Sequence, residues 1–278
     1  MAIRNIKLTI AYDGTEYHGW QIQPGTRTIQ GVLREAIEGL LGRRVRVCGA
    51  SRTDAGVSAL GQVGLIQIDS PIPTENLARA ITDRLPPDMA VVEAVEVPLG
   101  FDVIGAVKSK LYRYTIYTGP VRPVLQIRHC WHIPMKLDTA AIAKAAKFLV
   151  GTKDFKSFAA GNEKREDTVR TIFRCDVYLS CVERSASCEE KMDSCFRRND
   201  NTQYAIRNTH DENNWVYVDV EGDSFLYNMV RNIVGTLVEI GAGRWKPEKI
   251  KEILEAKNRT AAGPLAPAAG LCLMRIQY

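Results

Sequence analysis

The first periodic stretch of the chain, at residues 4–12, reads RNIKLTIAY and alternates isoleucine and leucine with polar side chains. Successive side chains of a strand point to opposite faces, so this alternation predicts a strand with one buried face. A helix is predicted next. Thr28 is a favourable N-cap, and apolar residues then recur at helical spacing up to Gly42, a favourable stop.

The rest of the first hundred residues completes a pattern of four strands and two helices. We predict strands at 45–48, 62–68 and 90–97, and a second helix that Thr74 caps and Pro86 ends, with Leu77, Ile81 and Leu85 facing inward. The order β-α-β-β-α-β is typical of the ferredoxin-like arrangement.

The same order recurs in the second part of the chain. Strands are predicted at 110–118, 168–180, 215–221 and 271–277, and helices at 138–149, 225–240 and 247–256. We therefore predict an α+β fold of two ferredoxin-like halves, residues 1–107 and 108–278. Their sheets are expected to join into one extended, mostly antiparallel sheet, with a cleft where the halves meet.

Composition limits the class of protein. The chain has 278 residues, 45% of them hydrophobic, and 37 Lys plus Arg against 32 Asp plus Glu, which gives a net charge of +5. This mild excess is compatible with an anionic partner such as RNA. No apolar run is long enough to span a membrane, and the first residues lack the apolar core of a signal peptide, so a cytoplasmic protein is expected.

The cysteines do not predict a metal site or a disulfide framework. Their number is odd, seven, and Cys181, Cys188, Cys195 and His210 lack the closely spaced ligand pairs of structural zinc sites. His129 and His132 are expected on opposite faces of a strand. Residues 181–214 are rich in charged and small polar side chains, and we predict a polar surface insertion there.

The sequence SRTDAGVSA at residues 51–59 is the first candidate site. Asp54 lies in a glycine-bearing turn with Arg52 two residues before it. A carboxylate on such a loop can act as a nucleophile or base, and a guanidinium can contact phosphate or enter a base stack. Taken alone, the stretch is equally typical of a structural turn, in which Asp caps the backbone and Gly has positive φ.

Two later segments combine cations with aromatic or apolar residues. Residues 108–114, KSKLYRY, suit phosphates and base stacking, although an amphipathic strand with half-buried tyrosines has the same pattern. In the predicted helix 225–240, Arg231 follows Tyr227 by four residues, which predicts that both share one helix face. A cation beside a buried face is expected to pair with a carboxylate, as in an ordinary structural ion pair or in a catalytic site.

With these segments together, the chain resembles the TruA family of tRNA pseudouridine synthases nearly from end to end. The matching motifs, in the family's order, are YDG at 12–14, GWQ at 19–21, TIQG at 28–31, RTDAGV with GQ at 52–57 and 61–62, YRY at 112–114, DF and SF at 154–155 and 157–158, MVRNIVG at 229–235, and GL at 270–271.

The resemblance implies isomerisation of uridine to pseudouridine at positions 38–40 in the anticodon arm of tRNA, with no cofactor or metal, by a homodimer that binds tRNA across both subunits. It implies that Asp54 is the nucleophile, attacking either the base or the sugar, and that Arg231 pairs with it and lowers its pKa. Tyr112 is expected to stack on the uracil and is a candidate for moving the carbon 5 proton. Arg52 is expected to occupy the space left by the flipped base.

Two positions depart from the family pattern. Ser58 stands where the family usually has histidine, and residues 101–104 read FDVI in place of the common Phe-His-Ala-Arg. Both are expected to face RNA, so the choice of uridine and the affinity for tRNA stay open. The alternatives are a tRNA-binding or chaperone protein with little catalysis and a pseudouridine synthase with another RNA target.

Overall fold

A computed structural model describes residues 3–161, 166–179 and 214–278. Its N-terminal part contains, in chain order, β1 (Arg4–Tyr12), α1 (Ile29–Leu41), β2 (Val47–Gly49), β3 (Ser58–Ile68), α2 (Thr74–Thr82) and β4 (Met89–Val97). The C-terminal part contains β5 (Ser109–Tyr117), β6 (Trp131–His132), α3 (Thr139–Lys147), β7 (Gly151–Asp154), β8 (Val169–Leu179), β9 (Trp215–Gly222), α4 (Met229–Gly241), α5 (Lys249–Ala256) and β10 (Leu271–Gln277).

One ten-stranded sheet runs through the described part of the chain. Its order is β4-β1-β3-β10-β5-β9-β8-β7, with β2 beside β3 and β6 beside β5. The order β4-β1-β3-β2 in one part and β10-β5-β9-β8 in the other is the same arrangement of first, second, third and fourth strands. The predicted α+β fold, two ferredoxin-like units joined into a mostly antiparallel sheet, is confirmed. The division at residues 107 and 108 stays a prediction.

The two units meet at β3, which has different neighbours along one edge. Its later residues pair with β2, from Gly64↔Gly49 to Ile66↔Val47. Its first residues pair instead with β10, through Ser58↔Cys272 and Ala59↔Leu273. The loop between β2 and β3 therefore lies where the neighbour of β3 changes from one unit to the other. This position is what brings the loop close to residues of the C-terminal unit.

Helix α1 forms as the sequence predicts. The Thr28 side chain accepts a hydrogen bond from the Gly31 amide, and Gly42 ends the helix in the left-handed conformation, with φ of 66°. Ile29, Leu33 and Ile37 form its buried face in the main core. Asp138 likewise caps α3 by accepting from the Ala141 amide.

Two predicted helix starts are wrong. Pro73, not Thr74, is the N-cap of α2, because the Thr74 hydroxyl accepts a hydrogen bond from Arg4 Nη1 at 3.0 Å; the helix also ends at Thr82, before Leu85. Helix α4 begins at Met229, after Asn228 in a left-handed conformation with φ of 61°. Tyr227 is therefore outside the helix, so its spacing from Arg231 does not place the two side chains on one helix face.

Candidate active site

A buried network of polar side chains holds the loop between β2 and β3 in place. The Gln62 side chain is fully buried and donates to the Ser51 carbonyl at 3.0 Å and to the Tyr12 hydroxyl at 3.4 Å. Tyr12 Oη lies 2.8 Å from Thr53 Oγ1. Buried polar groups must find such partners, so this network restricts the backbone on both sides of Arg52 and leads directly to Asp54.

The segment before α1 holds the other side of the loop. The Trp20 amide donates to the Thr53 carbonyl at 3.0 Å, and the Gly56 amide donates to the Tyr17 carbonyl at 3.2 Å. Gly56 has φ of 77°, as the turn prediction requires. The motifs at 12–14 and 19–21 thus act in the fold as supports for the loop that carries Asp54.

The Asp54 carboxylate faces Arg231 across the junction of the two units. Its Oδ2 lies 3.8 Å from Arg231 Nη1, and the two side chains are 23% and 14% exposed. Burial raises the pKa of the Asp54 carboxyl above its usual 3.8, and the Arg231 charge, which lowers it, only partly offsets this rise. The expected pairing is present, and the Arg231 charge lowers the pKa of Asp54 as expected, but desolvation of the carboxylate outweighs one cation at this distance, so the net pKa lies above its usual value.

This raised pKa predicts that Asp54 destabilises the fold at neutral pH. Below the unfolded-state pKa the carboxyl is protonated in both states; above it, folding opposes ionisation. Asp54→Asn should therefore unfold at a higher urea concentration than the wild type at pH 7, and the difference should shrink as the pH falls toward 4. Urea titrations at several pH values measure this.

Asp102→Asn is the control, because the pKa of the Asp102 carboxyl is shifted in the opposite direction from that of Asp54. Amide hydrogen bonds from Gly105 and Ile104 hold the pKa of the exposed Asp102 carboxyl below its usual range. The Asp102 variant should therefore be no more stable than the wild type at pH 7. An Asp54→Asn protein less stable than the wild type at pH 7, or a difference that does not change with pH, would contradict the assignment.

The Arg231 side chain is held in place by hydrogen bonds within the C-terminal unit. Its Nε donates to the Ala266 carbonyl at 2.7 Å, and its Nη1 donates to Asn228 Oδ1 at 3.2 Å. The Ala266 amide returns a hydrogen bond to the Arg231 carbonyl at 3.3 Å. The loop at 263–266 thus orients the guanidinium toward Asp54, which reduces the loss of side-chain entropy when a ligand binds.

Gly235 allows this loop to approach α4. A Cβ on Gly235 would lie 1.7 Å from the Pro264 carbonyl oxygen, which is backbone and cannot rotate away. We expect Gly235→Ala to lower the free energy of unfolding by about 1–3 kcal/mol through overpacking. Denaturant unfolding measures this value. Gly39→Ala is the matched control, because Gly39 lies in α1 with open space around its Cα, and there alanine should stabilise by up to about 1 kcal/mol. Equal effects at the two sites would contradict the packing argument.

Tyr112 extends from β5 into the same site. It is 7% exposed, its ring packs edge-on against Phe225 with centroids 5.3 Å apart, and its Oη lies 3.2 Å from Ser51 Oγ. Burial raises the pKa of its phenol to about 12, and the neighbouring Asp54 charge acts in the same direction. Tyr112 is therefore a neutral aromatic surface with a protonated hydroxyl at physiological pH.

A cavity of about 650 Å³ brings these groups together. Arg52, Asp54, Tyr112 and Arg231 all line it, so the structure assembles the four residues singled out in the sequence. Arg52 is exposed at the mouth, and it makes no hydrogen bond or ion pair with any other described residue. A volume of this size accommodates a nucleotide, and the combination of a nucleophilic carboxylate, a fixed cation and an aromatic face suits chemistry on a flipped base.

Sequence reasoning missed the supporting residues Tyr12, Thr53 and Gln62 as parts of the site. A weak signal existed for Gln62, a polar residue at an otherwise apolar stretch of strand, since such a buried amide must be hydrogen-bonded. Nothing in the local sequence links Tyr12 with Thr53.

The two departures from the family pattern have structural explanations. Ser58 Oγ accepts a hydrogen bond from the Gly14 amide at 3.1 Å, so the side chain joins the loop to its support. Asp102 caps its own turn, Val103 is buried beside Ala50 and Val63, and Ile104 is 65% exposed at the cavity wall. Of these side chains, Ile104 is the one that reaches the cavity, and it brings an apolar surface.

The described residues contain no group of three or more His, Cys, Asp or Glu side chains arranged for a metal ion. His129 Nε2 lies 3.6 Å from Asp13 Oδ2, whereas His132 Nε2 contacts the Gly119 carbonyl at 2.9 Å, so the two histidines have separate partners. Cys181, Cys188, Cys195 and His210, with the predicted insertion up to residue 213, lie outside the described residues. No helix in the described ranges is both long and apolar enough to cross a membrane.

The motif at 154–158 belongs to the core and does not line the cavity. Phe155 and Phe158 are fully buried, with ring centroids 6.2 Å apart. The Asp154 carboxylate pairs with Lys257 at 3.0 Å. This motif therefore stabilises the C-terminal unit.

The chain is similar to known proteins along nearly its whole length. The family model described as tRNA pseudouridine synthase matches residues 8–104 and 145–278. The tRNA pseudouridine synthase A of Moorella thermoacetica is 41% identical over 276 residues, covering 98% of this chain and 99% of its own. The proteins of that name from Acetivibrio thermocellus and Caldicellulosiruptor saccharolyticus are 39% and 37% identical, each covering 99% of this chain and 100% of their own. With this similarity along its whole length, the chain belongs to the family of tRNA pseudouridine synthases, isomerases that act on uridine in tRNA.

Proposed function

We propose that the protein converts uridine to pseudouridine at positions 38–40 in the anticodon arm of tRNA, with Asp54 as the nucleophile. The observation that carries the proposal is the carboxylate of Asp54, partly buried in a cavity of nucleotide size and 3.8 Å from the fixed guanidinium of Arg231. The family membership supplies the substrate class.

The proposed reaction is redox-neutral and has no net transfer of atoms. The Asp54 carboxylate attacks the target nucleotide, at the base or at the sugar, and the glycosidic C–N bond breaks. The uracil rotates, its carbon 5 forms the new bond to the sugar, the proton on carbon 5 leaves and nitrogen 1 gains one. An Asp54 that attacked the sugar leaves as carbon 5 bonds to that sugar, whereas an Asp54 that attacked the base is eliminated from the base after the new bond has formed. The reaction needs no cofactor because it is redox-neutral and isomerises the nucleotide without net transfer of atoms.

Arg231 stabilises the negative charge of the Asp54 carboxylate in a partly buried site of low dielectric constant. Charge stabilisation by a donor that is already oriented requires no reorganisation during the reaction. Its hydrogen bonds to Ala266 and Asn228 supply that orientation.

Tyr112 is proposed to stack on the uracil. Its raised pKa supports a role for the aromatic ring more than a role as a base for the carbon 5 proton, since only the phenolate accepts a proton readily. Arg52, exposed at the cavity mouth, is proposed to take the place of the extruded base, because flipping costs a few kcal/mol that a replacement contact offsets.

Further parts of the proposal rest on the family resemblance. We propose a cytoplasmic homodimer that binds tRNA across both subunits, built from an N-terminal unit of residues 1–107 and a C-terminal unit of residues 108–278.

The test is carbodiimide mapping of pseudouridine in total tRNA and in other RNA after incubation with the protein. Pseudouridine at positions 38–40 alone is the expected result. Pseudouridine elsewhere would replace the proposed target by another, and tRNA binding without any pseudouridine would favour a binding or chaperone protein.

A further inference from the structure

A second groove, of about 610 Å³, adjoins the candidate active site. It runs over α1, β2 and the connection between them, and it shares Trp20, Gln21, Gly49, Arg52 and Ile104 with the catalytic cavity. An extended ligand that leaves the cavity past Arg52 therefore enters this groove directly.

Four arginines line this second groove, which we call the arginine groove: Arg34, Arg44, Arg46 and Arg52. Arg34 comes from α1, Arg44 and Arg46 from the connection to β2, and Arg52 from the catalytic loop. The one carboxylate in its lining, Glu38, accepts a hydrogen bond from the Val45 amide at 3.0 Å and forms no ion pair with the four arginines.

These four arginines differ from most others in the described ranges. Arg27, Arg43, Arg113, Arg174 and Arg244, for example, all form ion pairs with carboxylates. None of the four groove arginines has an ion-pair partner among the described residues, and the Arg34 Nε is buried without a hydrogen-bond partner. Four cations against one carboxylate in a concave surface raise the local positive potential, and this favours an anionic ligand.

The kind of anion follows from the shape and chemistry of the groove. Guanidinium groups match phosphate oxygens in a bidentate geometry. Arginines spread along the groove fit a chain of phosphates better than they fit one small anion. Gln30 in the groove lining is oriented by the protein itself: its Oε1 accepts hydrogen bonds from the Ile22 amide and the Gln21 side chain, and its Nε2 donates to the Val47 carbonyl.

We propose that the arginine groove binds the phosphodiester backbone of the tRNA beside the target nucleotide, independently of base sequence. This inference rests on the proposed function, since it takes the tRNA in the cavity as the chain that continues into the groove. It assigns Arg34, Arg44 and Arg46 as phosphate-binding residues and gives Arg52 a position between the two sites.

The experiment compares Arg44→Gln, Arg46→Gln and the double variant with the wild type in binding an anticodon-arm RNA hairpin, by fluorescence anisotropy at several salt concentrations. Both arginines are exposed, so the variants should fold, and thermal unfolding checks this. Each lost phosphate contact should reduce the slope of log K against log salt by about 0.7–0.9 and weaken binding about tenfold near 50 mM salt.

Arg43→Gln is the matched control. Arg43 is the sequence neighbour of Arg44, is exposed and carries the same charge, but it pairs with Asp69 and does not line the groove. It should keep the wild-type salt slope and change the dissociation constant less than about twofold. Groove variants that behave like Arg43→Gln would overturn the inference.

Inorganic phosphate distinguishes an RNA backbone from a small anion. If millimolar phosphate displaced the hairpin from the wild type as well as RNA competitors do, the groove would be a small-anion site and the inference would be wrong. Pseudouridine mapping on the same preparations separates the two proposals. If pseudouridine forms but the salt dependence of binding is the same with and without Arg44 and Arg46, the groove inference alone is wrong. If the salt dependence changes in the arginine variants but no pseudouridine forms, the proposed reaction alone is wrong.

Discussion

Asp54→Asn is expected to lower the rate of pseudouridine formation by at least about four orders of magnitude, the scale seen when a nucleophile is removed from an enzyme. The amide keeps the shape of the carboxylate but has no anionic oxygen with which to attack the nucleotide. Single-turnover assays on anticodon-arm RNA, with pseudouridine measured by carbodiimide mapping, give the rate. Affinity for the RNA should change little, because the loss concerns the chemical step.

Two further variants test whether the loss of rate is specific to the Asp54 carboxylate. Asp54→Ala removes the side chain entirely, so any activity of the asparagine variant that arises by deamidation is absent from it. Asp83→Asn is the control for loss of an acidic charge, since Asp83 is exposed and pairs only loosely with Arg79, at 4.0 Å on α2. Asp54→Ala with more than about a hundredth of the wild-type rate would refute Asp54 as the nucleophile.

Arg231→Gln is expected to lower the rate by about two to three orders of magnitude, as the loss of an oriented charge-stabilising group does. It should also move the acidic limb of the pH dependence of kcat/KM to higher pH. The Arg231 charge lowers the pKa of Asp54, whose net pKa already lies above 3.8 through burial. Without that charge the pKa rises further, and a higher pH is needed to ionise the nucleophile.

The matched variant Arg231→Lys keeps the charge and loses the planar guanidinium. Its acidic limb should stay near that of the wild type even if its rate falls, because the field at Asp54 is retained. Arg275→Gln removes a cation that pairs with Glu221, outside the cavity lining, and should leave the limb unchanged. An acidic limb at the same pH in Arg231→Gln and the wild type would show that Arg231 does not act on the ionisation of Asp54.

Elements with a strong local period were predicted well from sequence. The strand at Arg4–Tyr12 and the helix at Ile29–Leu41 agree with prediction because alternation, capping and the glycine stop are local signals that tertiary contacts reinforce. The start of α4 was predicted wrongly. Phe225, Leu226 and Tyr227 continue the apolar pattern of the helix toward its N-terminus, but Asn228 adopts a left-handed conformation that the periodicity alone does not reveal.

The residues of the site were also available from the sequence, through a resemblance spread over the whole chain. The number and order of the matching motifs, and not the chemistry of any single stretch, made Asp54 a candidate nucleophile in place of an ordinary turn residue. The resemblance names Arg231, whose charge lowers the pKa of Asp54, but it does not include the desolvation that three-dimensional packing imposes and that raises the net pKa.

The sequence by itself determined the two ferredoxin-like units and the family, and it singled out Asp54, Tyr112, Arg231 and Arg52 as candidate site residues, since these depend on local periodicity and on motifs in a given order. Only the tertiary structure decided how they meet. The change of neighbour along β3 brings the Asp54 loop against α4 and buries its carboxylate. The packing of α1 beside β2 places Arg34, Arg44 and Arg46 in the groove next to the cavity. Burial, distance and unpaired charge depend on segments far apart in the chain, and no local pattern records them.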